Sequence, residues 1–133
     1  MFKVTKTIDF CYGHRLLNYA GKCRHLHGHN GKIEVDIELP TLDNRGMVQD
    51  FSDIKNVLKK WVDDTLDHQL ILCKEDPIAP LLRERGEKFL TMDDNPTAEN
   101  IAKMIFSYAR ANGLPVTEVR LWETPTSCAG YRG

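Results

Sequence analysis

The chain is predicted to fold as an α+β protein: one antiparallel sheet with two long helices packed on a single face. Three observations predict this. Residues 2–10 and 32–39 alternate apolar and polar side chains with a period of two. Two longer stretches, 50–66 and 95–112, carry apolar residues at helical spacing instead. The order strand, strand, helix, helix, strand, short strand (ββααββ) groups the helices between two antiparallel strand pairs, where βαβ units would alternate them.

The elements follow from local chemistry. In the first strand Phe2, Val4, Ile8 and Phe10 share one parity, and Lys3, Thr5, Thr7 and Asp9 the other, with Lys6 as the one break. In 32–39, KIEVDIEL, Ile33, Val35, Ile37 and Leu39 form one face. Both strands read as half-buried, with one wet side. Pro40 to Gly46 is a turn, and Met47–Gln49 a short extended piece. Asp50 is placed to cap a helix, with Asp53 in its first turn. Ile54, Val57, Leu58, Trp61 and Val62 form its stripe, and it should end near Leu66.

Residues 73–95 are the least regular, punctuated by Pro77, Pro80 and Gly86, with a short helix expected over 78–85. Asn95-Pro96-Thr97 opens the second long helix. Ile101, Met104, Ile105 and Tyr108 line it, and Gly113 and Pro115 stop it. Residues 116–123 make a third strand with Val119 and Leu121 on one face, and the tail TPTSCAGYRG adds a short edge strand. Such a sheet keeps open edges, which invite pairing with other subunits.

Composition narrows the function. The 133 residues suit one domain spanning 1–133. With 41% hydrophobic and 28% charged residues the chain is no disordered segment. No apolar run approaches the roughly 20 residues that cross a bilayer. The N-terminus MFKVTKTIDF lacks the apolar core of a signal peptide, so no membrane partner is expected. A net charge of −1, from 18 basic and 19 acidic residues, is no footprint for nucleic acid, though it leaves room for a small anionic substrate. Cys11, Cys23, Cys73 and Cys128 form no CxxC pair, so reduced thiols and a cytoplasmic location are expected.

Four of the five histidines lie between residues 14 and 29. His27 and His29 sit two apart, so in a strand they leave the same face, roughly 7 Å apart along it, on the parity of Ile33 and Val35. His14 shares the parity of Phe10, and an uninterrupted first strand would turn it inward as well. Three histidines match a catalytic zinc site with one open position, whereas a structural site would take a fourth protein ligand. His25 is expected to face outward or into the loop. A histidine on an apolar face is more often a core residue than a ligand, but three in register with a nearby cysteine favour a metal.

Cys23, beside Lys22 and Arg24, has three readings: a base with a depressed pKa, a fourth zinc ligand, or an inert buried thiol. Asp67-His68 reads either as a carboxylate holding an imidazole tautomer or as a histidine at a helix C-terminus. Glu123 lies on the core-facing parity of Val119 and Leu121. There a carboxylate is costly unless paired, and it could accept two hydrogen bonds from an amino-heterocycle. The alternatives are a solvated strand end or a structural ion pair.

Together these segments resemble the 6-pyruvoyltetrahydropterin synthase / 6-carboxytetrahydropterin synthase family along the whole chain. Phe10 through His14 with Arg15-Leu16 looks like its first zinc motif. Cys23-Arg24-His25-Leu26-His27-Gly28-His29-Asn30 looks like its cysteine and H-G-H-N motif. Gly46 to Phe51, Leu66-Asp67-His68, Pro96 to Asn100, Glu123-Thr124 and Tyr131-Arg132-Gly133 resemble further family segments in the same order. Departures are Gly31, where an aromatic is common, Tyr12-Gly13 in place of small residues, Ala98 in place of Ser or Thr, and a longer 73–95.

The resemblance implies a T-fold, a four-stranded antiparallel sheet with two helices on one face, assembled as a hexamer of two stacked trimers with active sites at subunit interfaces. It implies one Zn2+ per subunit on His14, His27 and His29, and Cys23 as proton-abstracting residue. Asp67 and His68 are its relay, contributed by a neighbouring subunit. Glu123 is the pterin anchor, with assistance from Thr97. The implied substrate is 7,8-dihydroneopterin triphosphate. The short spacing from Cys23 to the histidine pair resembles the bacterial enzyme that releases acetaldehyde and triphosphate to give 6-carboxy-5,6,7,8-tetrahydropterin for queuosine and deazapurine synthesis. Triphosphate elimination to the 6-pyruvoyl product is the alternative. A variant with Glu in place of the cysteine is disfavoured by Cys23. A non-catalytic zinc- or pterin-binding module, closed by Cys23, is the reading from a different class.

Overall fold

The computed structural model describes residues 1–133. Strand β1 runs Phe2–His14 and β2 His27–Leu39. They pair antiparallel with Ile8 opposite Ile33, Phe10 opposite Gly31, Tyr12 opposite His29 and His14 opposite His27. Both strands are longer than their alternation suggested. Beyond Phe10 and before Gly31 the inward positions are tyrosine and histidine, so the ladder continues where the hydrophobic signal stops.

Helix α1 is built from Phe51–Ile54, a π-helical turn at Lys55–Lys59, and Lys60–Thr65. Asp50 caps it, accepting the Ser52 N–H at 2.8 Å. Its fully buried side chains are Ile54, Leu58 and Val62, followed by Leu66. A constant spacing of four would walk around a regular helix of 3.6 residues per turn; the wider turn keeps these residues in line. Then follow β3 (Gln69–Cys73), the short helix α2 (Ala79–Glu84), β4 (Leu90–Met92), helix α3 (Ala98–Ala111), β5 (Glu118–Thr124) and β6 (Ser127–Tyr131). At the end of α3, Gly113 takes φ of +87°, a left-handed conformation that glycine adopts without strain.

The expected four-stranded antiparallel sheet requires correction. The sheet has six strands in the order β4-β3-β1-β2-β5-β6. The four antiparallel strands are present as β1, β2, β5 and β6, but β3 adds to β1 in parallel and β4 adds to β3 in parallel. Ile71, Leu72 and Cys73 are all buried, so this strand has no wet side and no alternation to reveal it. Strand β4 has three residues, too few to show a period. Both long helices do share one face of the sheet. Ile8, Phe10, Ile33, Val35, Ile37, Val119 and Leu121 meet the α1 residues and Ile101, Ile105 and Ala109 of α3 in a cluster of 22 buried residues.

The opposite sheet face is polar. Asp36 of β2 is 2% exposed and is held by Arg120 Nη1 at 2.5 Å, the Thr5 hydroxyl at 2.6 Å and Lys3 Nζ at 3.6 Å. No helix is long and apolar enough to cross a membrane.

Candidate metal centre and active site

His14, His27 and His29 converge where β1 and β2 leave the apolar core, with one ligating atom of each within 4.8 Å of the others. The ladder register produces this, because His14 and His27 are directly opposed and His29 follows on the same face. Two backbone carbonyls fix the rings. His14 Nδ1–H donates to Pro96 at 2.7 Å, and His27 Nδ1–H donates to His25 at 2.7 Å. Those bonds leave the Nε2 lone pairs pointing into the cluster. His14 Nε2 lies 3.2 Å from His29 Nε2, and His27 Nε2 is buried with no hydrogen-bond partner at all. Burial holds the pKa of His14, and likewise of His29, below the ordinary imidazole value, keeping them in the neutral form that binds metals. An orphaned buried nitrogen beside two facing ones is the donor set a zinc ion satisfies.

Glu123, on β5, reaches the same cluster. Its Oε1 stands 3.8 Å from His14 Nε2 and accepts the Tyr12 hydroxyl at 3.5 Å. Burial, with the Glu123 carboxylate adding to it, pushes the Tyr12 phenol well above its usual value, so the ring stays protonated and donates.

A second constellation occupies the other side of the β1 ladder. Asp67 accepts the Cys11 N–H at 2.8 Å and the His68 Nδ1–H at 2.8 Å, and the His68 N–H donates to the Cys11 carbonyl at 2.7 Å. The Cys11 N–H, with His68 assisting, keeps the Asp67 carboxyl below the usual carboxylate range. The pair sits on the turn from α1 into β3, where His68 takes φ of +61°, a left-handed conformation uncommon outside glycine. The His68 side chain is 79% exposed. With Nδ1 committed to Asp67, its other ring nitrogen, Nε2, is left without a protein partner. Cys11, Asn30 and His68 border both of two adjoining clefts of about 610 and 640 Å3, one bounded by Asp9, Lys32 and Trp122 and the other by His27, Gly28 and Leu70.

Not every expected residue is gathered. Cys23 lies in a 3-10 turn, Lys22–Arg24, tied by its carbonyl to the Leu16 N–H at 2.8 Å, and its thiol belongs to neither cluster. Within one chain the Asp67–His68 pair meets Cys11, a residue the sequence left without a role. Its odd parity with Asp9, pointing away from the core, was the available signal. Thr97 caps α3, accepting the Asn100 N–H at 3.2 Å, while the adjacent Pro96 carbonyl orients His14. His25 is exposed, and its carbonyl orients His27. All four cysteines are free.

A six-stranded α+β sheet that projects three imidazoles, a carboxylate and a separate Asp–His pair from one end has the groups of a metal-using enzyme. The family model for 6-pyruvoyl tetrahydropterin synthase matches residues 3–133, and the chain belongs to that family of tetrahydropterin synthases. It is 39% identical to the 6-carboxy-5,6,7,8-tetrahydropterin synthase of Rickettsia conorii over 132 residues, covering 94% of this chain and 96% of the relative. It is 38% identical to the protein of the same name from Haemophilus influenzae, covering 99% of both. A solved structure from Wolinella succinogenes superposes with a TM-score of 0.82 at 31% identity, covering 98% of this chain and 97% of the other. The Caenorhabditis elegans 6-pyruvoyl tetrahydropterin synthase shares the fold, with a TM-score of 0.73 at 24% identity over 99% and 95% of the two chains.

Proposed function

We propose that residues 1–133 act as one T-fold domain with 6-carboxy-5,6,7,8-tetrahydropterin synthase activity. The substrates are 7,8-dihydroneopterin triphosphate and one water, and the products are 6-carboxy-5,6,7,8-tetrahydropterin, acetaldehyde and triphosphate, in the cytoplasm and within queuosine and deazapurine synthesis. The observation that carries the reading is the trio of histidines with a buried, partnerless Nε2, in a chain 38–39% identical to relatives bearing that name.

His14, His27 and His29 would hold Zn2+, whose open position would polarise the side-chain hydroxyls of the substrate and acidify the adjoining protons. The other groups act on those protons. Cys23, as thiolate, removes one. His68, with its tautomer set by Asp67, moves another through Nε2. Glu123 anchors the aminopyrimidine edge of the pterin as acceptor, with assistance in substrate binding from Thr97.

Cys23 and the Asp67–His68 pair do not meet within one chain, and Glu123 borders neither large cleft. Both facts support a site completed across subunits, in a hexamer of two trimers. The unpaired outer edges of β4 and β6 offer backbone for such contacts.

The test is a product assay on the zinc-loaded protein with 7,8-dihydroneopterin triphosphate. Acetaldehyde released in step with triphosphate supports the reading. Triphosphate without acetaldehyde transfers the activity to 6-pyruvoyltetrahydropterin synthesis, and neither product leaves a non-catalytic zinc- or pterin-binding module.

A further inference from the structure

We propose that Tyr12 is a positioning residue of the site, holding the Glu123 carboxylate through its hydroxyl from a place that Gly31 opens for its ring. The argument begins at Gly31, opposite Phe10 in the ladder. A Cβ built there would stand 2.9 Å from the Phe10 ring and 3.0 Å from the Tyr12 ring. Real Cβ atoms do not approach so closely, so glycine at 31 is what lets both rings lie over the strand.

The two rings stack with centroids 4.9 Å apart and planes 11° from parallel. So held, the Tyr12 ring meets His14 edge-on at 5.2 Å and His29 at 5.6 Å. It thus forms the wall behind two of the three imidazoles. Tyr12 is 3% exposed, and the one hydrogen-bond partner of its hydroxyl is Glu123 Oε1 at 3.5 Å. The same oxygen faces His14 Nε2 at 3.8 Å. The phenol therefore fixes which carboxylate oxygen turns toward the imidazoles and frees Oε2 for a ligand. The contact is long, so its effect falls below that of a hydrogen bond to a charged group and within the range of an ordinary one.

This inference rests on the reading of Glu123 as pterin anchor, and the test separates the two. Neopterin binding, followed by its fluorescence, is measured on the zinc-loaded wild type, Tyr12→Phe, Glu123→Gln and the double variant. Tyr12→Phe is expected to weaken neopterin about three- to tenfold. It should raise KM for the triphosphate substrate by a similar factor, with kcat, zinc content and Tm nearly unchanged. In the Glu123→Gln background the same substitution should have no further effect, a non-additivity that a purely structural tyrosine would not produce. Gly31→Ala should lower both Tm and neopterin affinity, because its Cβ displaces the stacked Phe10 and Tyr12 rings. Unchanged affinity in Tyr12→Phe, additive effects in the double variant, or a silent Gly31→Ala would overturn the proposal. A wild type that does not bind neopterin would remove the anchor and the inference together. Binding that follows the pattern above without turnover would sink the proposed reaction and leave the inference standing.

Discussion

His14 Nε2 and His29 Nε2 face each other at 3.2 Å across the β1–β2 ladder. On His14 the ring proton is committed elsewhere, to the Pro96 carbonyl through Nδ1. With His14 Nε2 left as an acceptor, His29 Nε2–H can donate to it in the free protein, while the buried Nε2 of His27 beside them has no partner. Burial disfavours the charged imidazolium form of His14 and His29. Loss of one ring proton turns all three nitrogens into donors for a single cation.

Removing one donor should remove the metal. His27→Ala and His29→Ala are each expected to purify with less than about a tenth of the wild-type zinc, because two imidazoles make a poor zinc site. Elemental analysis against protein concentration checks this. Full occupancy in both variants would refute the three-histidine assignment.

Cys23→Ala should keep zinc and lose turnover, by about 10²–10⁴-fold, the range for a positioned acid or base. The thiol lies outside the histidine cluster, so zinc has no need of it. Loss of zinc with the thiol would instead identify Cys23 as a ligand.

Site halves on different subunits should complement. Cys23→Ala and His68→Ala proteins, each inactive, should regain activity when unfolded together and reassembled, and light scattering should report a hexamer. An active monomer, or no recovery in a mixture of well-assembled hexamers, would contradict the shared site.

Much of this was legible in the sequence, and the failures have physical causes. The inward parity of His14, His27 and His29 follows from strand periodicity alone, and Asp50 and Thr97 cap the helices they were expected to start. Strand β3 was missed because a strand buried on both faces carries no alternation, and QLILC reads as well as a helix end. Adding β3 and β4 in parallel could not be inferred without seeing β3. The meeting of Cys11 with Asp67 joins residues 56 positions apart, and no local pattern encodes such a distance.

Acid should destabilise the fold through Asp36 and Asp76. Arg120 and Thr5 hold Asp36 below its ordinary 3.8 against the opposing effect of burial. Arg15, next to His14, does the same for Asp76 through a bond from Nε at 2.7 Å. The unfolded chain binds protons at these positions before the folded one does. Their contribution is thus complete above about pH 5 and is lost as pH falls through 3.8 toward the lower folded values. Urea midpoints measured between pH 7 and pH 3 should fall in that window, and Asp76→Asn should flatten the curve while costing about 2 kcal/mol at pH 7, less than the ~3–5 kcal/mol of a fully buried broken pair. A midpoint unchanged down to pH 3 would show that neither pair supports the fold.

X-ray absorption at the zinc edge of the assembled wild-type protein tests the metal centre most directly. The predicted first shell is three imidazole nitrogens at about 2.0–2.1 Å and one light oxygen atom, with no sulfur. A sulfur scatterer at about 2.3 Å would show Cys23 closing the site as a fourth ligand, and would turn the proposed enzyme into a structural zinc module.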